Sequence, residues 1–307
     1  MEPKEAAVNI RVELDKRSWL RFPPRTGTKP ARLFHYTSHS GLLGIVSSNV
    51  LWATNALYLN DSSELSYGLS MARAHLNAIE NQSSLVEQFL RRGADLLDLD
   101  VLVPGRQFYA CCFCENPDIL SQWRAYADRG GGYAIGFDME DLGRAGGKRH
   151  LSLFPVDYGA GRNEELLAHD IKALCEALVH CAQQSPANDD VLISAACEDL
   201  KLAFIFRLFW LKHPGFAEEK EWRILANFDS TDVTRIKFRQ GQTTLVPYVE
   251  LEPSEFGDAM EQLPIREVVH GPTAHPQLAA QALHALFKKH GFNAPRIWGS
   301  TMPLRTP

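Results

Sequence analysis

Arg32-Leu33-Phe34-His35-Tyr36-Thr37-Ser38-His39-Ser40-Gly41-Leu42-Leu43-Gly44-Ile45-Val46-Ser47-Ser48-Asn49-Val50-Leu51-Trp52-Ala53-Thr54 is the stretch on which the fold turns. Leu33 to Thr37 reads as a short apolar strand. Ser40 is placed to cap a helix carrying Leu42, Leu43, Ile45 and Val46, and Asn49 is a natural C-terminal stop. Val50 to Thr54 follows at once as a second strand. A strand, a one-sided helix and a strand in so short a span describe a mixed α and β domain.

Outward from that unit the pattern continues. After the polar turn Asn60-Asp61-Ser62-Ser63-Glu64 come helices to about 80 and over 84–96, then a strand from Gln107 to Cys114. Asn116-Pro117-Asp118 opens a helix through Ile119, Leu120, Trp123 and Tyr126, and Gly130 to Gly132 turn the chain into the strand Tyr133 to Asp138. Apolar residues at helical spacing over 162–184 and 189–211 predict a helical pair. Strands resume at 221–228, 244–251 and 265–270, a helix spans 276–290, and a last strand lies at 296–299. The expected fold class is α+β: a split mixed or antiparallel sheet with flanking helices. Residues 1–30, with Pro23, Pro24 and Pro30, read as an N-terminal arm. Residues 31–307 read as one domain with a helical insertion at about 162–211.

Composition narrows the function. With 307 residues, 45% hydrophobic and 22% charged, the chain has the balance of a globular protein and needs no metal or disulfide staple. A net charge of -5 offers no overall field for nucleic acid or an anionic membrane. The acidic Met-Glu-Pro-Lys-Glu-Ala start and the lack of a long apolar run lead to the expectation of a cytoplasmic protein without a membrane partner. The six cysteines sit in apolar or helical company. Cys112 and Cys114 share a strand face, but no second ligand pair follows at zinc spacing, so they read as buried thiols. The glycines at 130–132 and 136 lie between a helix and the following strand, the reverse of a dinucleotide-binding loop. Walker A, HExxH, GxSxG and calcium-loop sequences are absent from the chain.

Three polar groupings stand where apolar residues are expected. His35 lies inside an apolar strand and is followed by Thr37 and Ser38. Either it is a buried, satisfied histidine or it holds a ligand. Glu219, Glu221 and Arg223 fall on one face of a strand that Lys220, Trp222 and Ile224 share on the other. A solvated edge and a functional carboxylate pair both fit that pattern. Trp123 and Tyr126 share a helix face as a packed aromatic pair.

The segments Leu33 to Ser38, Gly41-Leu42, Leu51 to Thr54, Leu59-Asn60-Asp61 with Glu64, Cys112 to Glu115, Trp123 to Asp128, Gly132 to Asp138 and Glu219 to Arg223 resemble a bacterial family known as domain of unknown function 2971. The resemblance extends from Arg32 to His270-Gly271-Pro272 and Ser300 through Arg305. A more distant likeness, to ADP-ribosyltransferases of the diphtheria-toxin and poly-ADP-ribose-polymerase type, implies a sheet core of that type and NAD as substrate. By that resemblance Glu221, with Glu219 in an ExE pattern, is the catalytic acid. His35, Tyr36, Thr37, Ser38, Trp52, Tyr58 and Arg223 are the NAD-binding candidates, with Tyr36, Tyr58 and Tyr67 competing to stack on nicotinamide. Arg32, Arg124, Arg223 and Arg305 are candidate phosphate donors. A fixed carboxylate suits the oxocarbenium-like sugar left when nicotinamide departs. The implied activity is NAD-dependent transfer to an unknown acceptor, protein or nucleic acid, as in a toxin or an antiphage defence effector, with a protein partner expected on the helical insertion. The alternatives are a ligand-sensing or partner-binding module on a degenerate transferase fold, and a metal-dependent nucleic-acid hydrolase using Asp61, Glu64 and Glu221.

Overall fold

A computed structural model describes residues 2–17, 29–59, 62–79, 83–97, 106–126, 131–146, 150–184, 188–229, 232–241 and 243–303. Contacts divide the chain into two units. One, formed by 1–26, 60–105 and 157–214, is helical. The other, formed by 27–59, 106–156 and 215–307, carries the sheet.

The helical unit contains α1 (Pro3–Lys16), α3 (Ser62–Ala78), α4 (Ser84–Asp95), α7 (Ala160–Gln184) and α8 (Asp189–Trp210). The expected helical pair is α7 and α8, but it is not a lone insertion, because α1, α3 and α4 pack with it. The N-terminal arm is likewise a helix over Pro3–Lys16. Pro3 stands where a first-turn proline loses no hydrogen bond, and Ala6, Ile10 and Leu14 form a buried stripe at a spacing of four. Pro23, Pro24 and Pro30, which give the segment its arm-like pattern, all lie beyond this helix. Between α7 and α8 runs a buried ion pair: Arg207 donates to Asp170 Oδ2 from Nε at 2.8 Å and Nη2 at 2.7 Å, with its guanidinium 5.1 Å from the Trp210 ring.

Among the described residues the sheet unit holds ten strands: β1 (Arg32–Thr37), β2 (Leu51–Asn55), β3 (Arg106–Cys114), β4 (Tyr133–Asp138), β5 (Leu151–Pro155), β6 (Glu221–Asp229), β7 (Lys237–Gln240), β8 (Leu245–Leu251), β9 (Ile265–His270) and β10 (Arg296–Gly299). Its helices are α2 (His39–Ser48), α5 (Leu120–Tyr126), α6 (Met139–Gly146), α9 (Pro253–Phe256) and α10 (Pro276–Lys289). The fold is α+β, with a mixed, open sheet and flanking helices. The strand order is β10-β9-β4-β1-β3-β2-β8-β7, with β6 and then β5 branching from β3. Only β9 and β10 pair in parallel among the described strands.

The branch makes a fork. One edge of β3 pairs with β6 along its whole length. The other edge meets β1 at Cys114 and β2 at Ala110 and Tyr109, so β1 and β2 divide a single edge between them. One face of this sheet, face A, carries Leu33, Tyr109, Phe113, Ile135, Phe137, Trp222, Ile224 and Val249 and is covered by α2, α6, α9 and α10. The opposite face, face B, carries a smaller cluster of Phe34, Tyr36, Cys114, Ala134 and Val269 against Trp123 of α5.

Candidate functional site

Strand alternation assigns each expected site residue to a face. Phe34 pairs with Cys114 and Cys114 with Glu221, while Cys112 pairs with Arg223. Glu221 and Arg223 therefore lie on face B with Phe34, Tyr36 and both cysteines. Trp52 is two residues from Thr54, which pairs with Ala110, and so it is on face B as well. His35 is on face A. Its ring sits 5.8 Å from that of Phe113 and its Nδ1 lies 3.8 Å from Cys111 Sγ. The expected cleft holding His35 and Glu221 together is overturned by this register, because the two point to opposite sides of the sheet.

What His35 does follows from the fork. Cys112 lies between the β1 and β2 pairings, where its carbonyl meets neither strand's ladder. His35 Nδ1–H donates to that oxygen at 2.9 Å, filling the gap. Burial lowers the imidazole pKa, opposed by the bond to Cys112, so the ring is held neutral with its proton on Nδ1. Thr37 and Ser38 are also used locally. Ser38, rather than Ser40, is the N-cap of α2, accepting from Gly41 N–H at 3.1 Å. Thr37 Oγ1 lies so close to Gly41 that a Cβ there would stand 2.0 Å away.

The expected Glu219, Glu221, Arg223 row is broken at Lys220. Glu219 ends a 3-10 turn, Pro214–Glu219, and Lys220 has φ 43, a left-handed backbone that interrupts strand alternation. The strand begins at Glu221. From there Arg223 reaches back to its neighbour on the same face: Nε donates to Oε1 at 2.6 Å and Nη2 to Oε2 at 3.2 Å, with both side chains 4% exposed. Burial raises the Cys112 thiol well above its ordinary range, and the charge of Glu221 adds to this, so the thiol is a hydrogen-bond donor to the carboxylate and not a nucleophile.

Trp52 stacks at 4.6 Å on Tyr248, and its buried Nε1–H meets no acceptor among the described residues. Tyr36 lies edge-on to Trp123 at 4.8 Å; its hydroxyl donates to the Asn116 carbonyl at 3.0 Å and accepts from Ile119 N–H at 3.1 Å. Burial raises its pKa, so it stays a neutral phenol. Tyr58 is 43% exposed in a 3-10 turn after β2. Of the phosphate candidates, Arg32 is committed to Asp138 at 2.9 Å and to Glu267. Arg305, Asn60, Asp61, Gly130 and the side chains of Glu64 and Tyr67 lie outside the described residues.

The structure thus brings Tyr36, Trp52, Glu221 and Arg223 onto one face and leaves His35, Thr37 and Ser38 off it, while Tyr58 and Glu219 lie in 3-10 turns outside the strands. Cys112 and Trp123 join that face. The sequence read them as a buried thiol and a packing residue, and only the pairing of β3 with β6 shows what the thiol meets. Among the described residues no three histidine, cysteine or acidic side chains are grouped to hold a metal. A depression of about 720 Å³ lined by Val46, Asn49, Met260, Gln262, Arg266 and Phe292 contains none of these side chains.

Residues 122–224 match the family model described as "Protein of unknown function (DUF2971)". The resemblance to domain of unknown function 2971 therefore stands over α5, β4, α6, β5, α7, α8 and the opening of β6, a narrower span than the sequence segments suggested. No curated protein matches the chain. No solved structure matches it. No helix among the described residues is long and apolar enough to cross a membrane.

Proposed function

We propose that the sheet unit is a small-molecule recognition module whose site lies on face B, around Tyr36, Trp52, Cys112, Glu221 and Arg223. The observation that carries this reading is the shared face. A buried, two-point carboxylate and guanidinium pair stands on that face, which also carries an indole N–H that meets no acceptor among the described residues, while His35 is turned away and occupied by the fork. Buried charges cost desolvation that packing residues would avoid, which favours a recognition role over a purely stabilising one. The fitting ligand is planar and polar, offering an acceptor to Trp52.

A second reading is NAD-dependent ADP-ribosyl transfer, as in a toxin or antiphage effector, by residues of face B alone. The fork in the sheet and the fixed carboxylate of Glu221 favour it. In that version Glu221 opposes charge on the ribose, Tyr36 or Trp52 supplies the aromatic wall and His35 only holds the fork. The acceptor would be a protein or a nucleic acid.

Calorimetry with NAD, ADP-ribose and nicotinamide, on the wild-type chain and on Trp52→Phe, tests the face-B site. Binding of at least one probe that weakens in Trp52→Phe supports it. Binding unchanged in Trp52→Phe but lost in His35→Gln would place the ligand on the wrong face for this proposal.

A further inference from the structure

We propose that Ser300–Met302 is a latch, fastened by Asp118 over the Tyr36 and Trp123 end of face B and able to open while β10 stays in the sheet. The last ladder contact of β10 is Ser300 N–H to the His270 carbonyl at 2.8 Å. Beyond it the backbone is held by side-chain acceptors. Thr301 N–H donates to Asp118 Oδ2 at 2.8 Å and Met302 N–H to Ser300 Oγ at 3.1 Å. The hydroxyls of Ser300 and Thr301 donate to Asp118 at 2.5 and 2.9 Å. Asp118 Oδ1 also accepts Trp123 Nε1–H at 2.7 Å. One carboxylate therefore ties the latch to the indole that packs on Tyr36, and Met302 and Trp298 lie against the same cluster.

The division of labour makes local opening the expected motion. β10 keeps four register pairs with β9 whatever the latch does, whereas the segment after Ser300 depends on Asp118. Burial acts to raise the Asp118 pKa, but the donors of Ser300, Trp123 and Thr301 outweigh it and hold the carboxyl below its ordinary range. The latch is thus fastened at neutral pH, and its release requires competition for the carboxylate or loss of it. The latch itself does not depend on the proposed ligand site; only what it uncovers does.

Amide hydrogen exchange on the full chain tests it. A hydrogen bond to a charged group corresponds to roughly 10- to 100-fold in a local opening equilibrium. Asp118→Asn should therefore speed exchange at Thr301 by about tenfold or more, with the β9–β10 amides unchanged. Because that variant also loosens Trp123, Ser300→Ala/Thr301→Val, which keeps the indole bond and the residue-301 N–H bond to Asp118 but removes both hydroxyl donors, should still accelerate exchange at residue 301, by less than Asp118→Asn does. Unchanged exchange at Thr301 in the double variant, or acceleration spread evenly over β9 and β10, would overturn the latch.

Discussion

Glu221→Gln isolates the buried pair of face B. The substitution keeps shape and one acceptor but leaves Arg223 charged at 4% side-chain exposure. Removing one partner of a buried ion pair costs about 3–5 kcal/mol, and the retained amide oxygen places this case near the lower end, about 3 kcal/mol. For a unit of this size about 2–4 °C accompanies each kcal/mol, so the sheet unit's midpoint should fall by roughly 6–12 °C. The double variant Glu221→Leu/Arg223→Met removes both charges of the pair and should recover much of that loss. Thermal unfolding followed by near-ultraviolet circular dichroism, with Glu221→Gln measured beside Glu221→Leu, Arg223→Met and the double variant, supplies the cycle. A loss below about 1 kcal/mol for Glu221→Gln, the value of an exposed pair, would refute the claim that this pair is desolvated.

Two pH dependences of opposite sign follow from groups shifted by desolvation in the two units. His35 has a lowered pKa in the folded state, caused by burial. Its contribution to the sheet unit is complete above the ordinary imidazole value and is lost as pH falls toward its own lower value, and His35→Gln should flatten that decline in a melting series between pH 8 and about 5. Asp199 of α8 has a raised pKa, again from burial, with Arg11 of α1 opposing at 3.0 Å and Oδ2 buried without a partner among the described residues. Its contribution to the helical unit is complete below the ordinary carboxylate value and is lost as pH rises through its raised one. Urea midpoints should therefore climb as pH falls over that window, and Asp199→Asn should remove the trend.

Much of this fold is legible in the sequence because its signals are local. The αL residue Asn49, with φ 58, stops α2 where an asparagine should, and β1, β2, β4, β9 and both long helices carry the expected periods. Two strands escaped notice for physical reasons. β5 interleaves hydroxyl and proline with its apolar residues, and β7, Lys237-Phe238-Arg239-Gln240, is an exposed edge whose charges hide a strand pattern. The site was harder. Alternation within β1 separates His35 from Tyr36, and this was available from the sequence, but which face Glu221 shares depends on the Phe34, Cys114, Glu221 register across three strands. The Glu219, Glu221, Arg223 alternation breaks for a local reason, since nothing in Glu219-Lys220-Glu221 announces that Lys220 takes a left-handed backbone. Asp118 was placed at a helix start, as its sequence suggests. That it fastens a segment more than 180 residues away is a property of the fold.

The claim at the centre of this account is that His35 and Glu221 do not serve one ligand. Nicotinamide release from NAD, measured on the wild-type chain, His35→Gln and Glu221→Gln with folding verified for each, tests it most directly. The recognition module predicts no release from any of the three, and a face-B transferase predicts release that is lost in Glu221→Gln and kept in His35→Gln. Release by the wild type that both substitutions abolish, with NAD binding weakened in His35→Gln, would contradict the account.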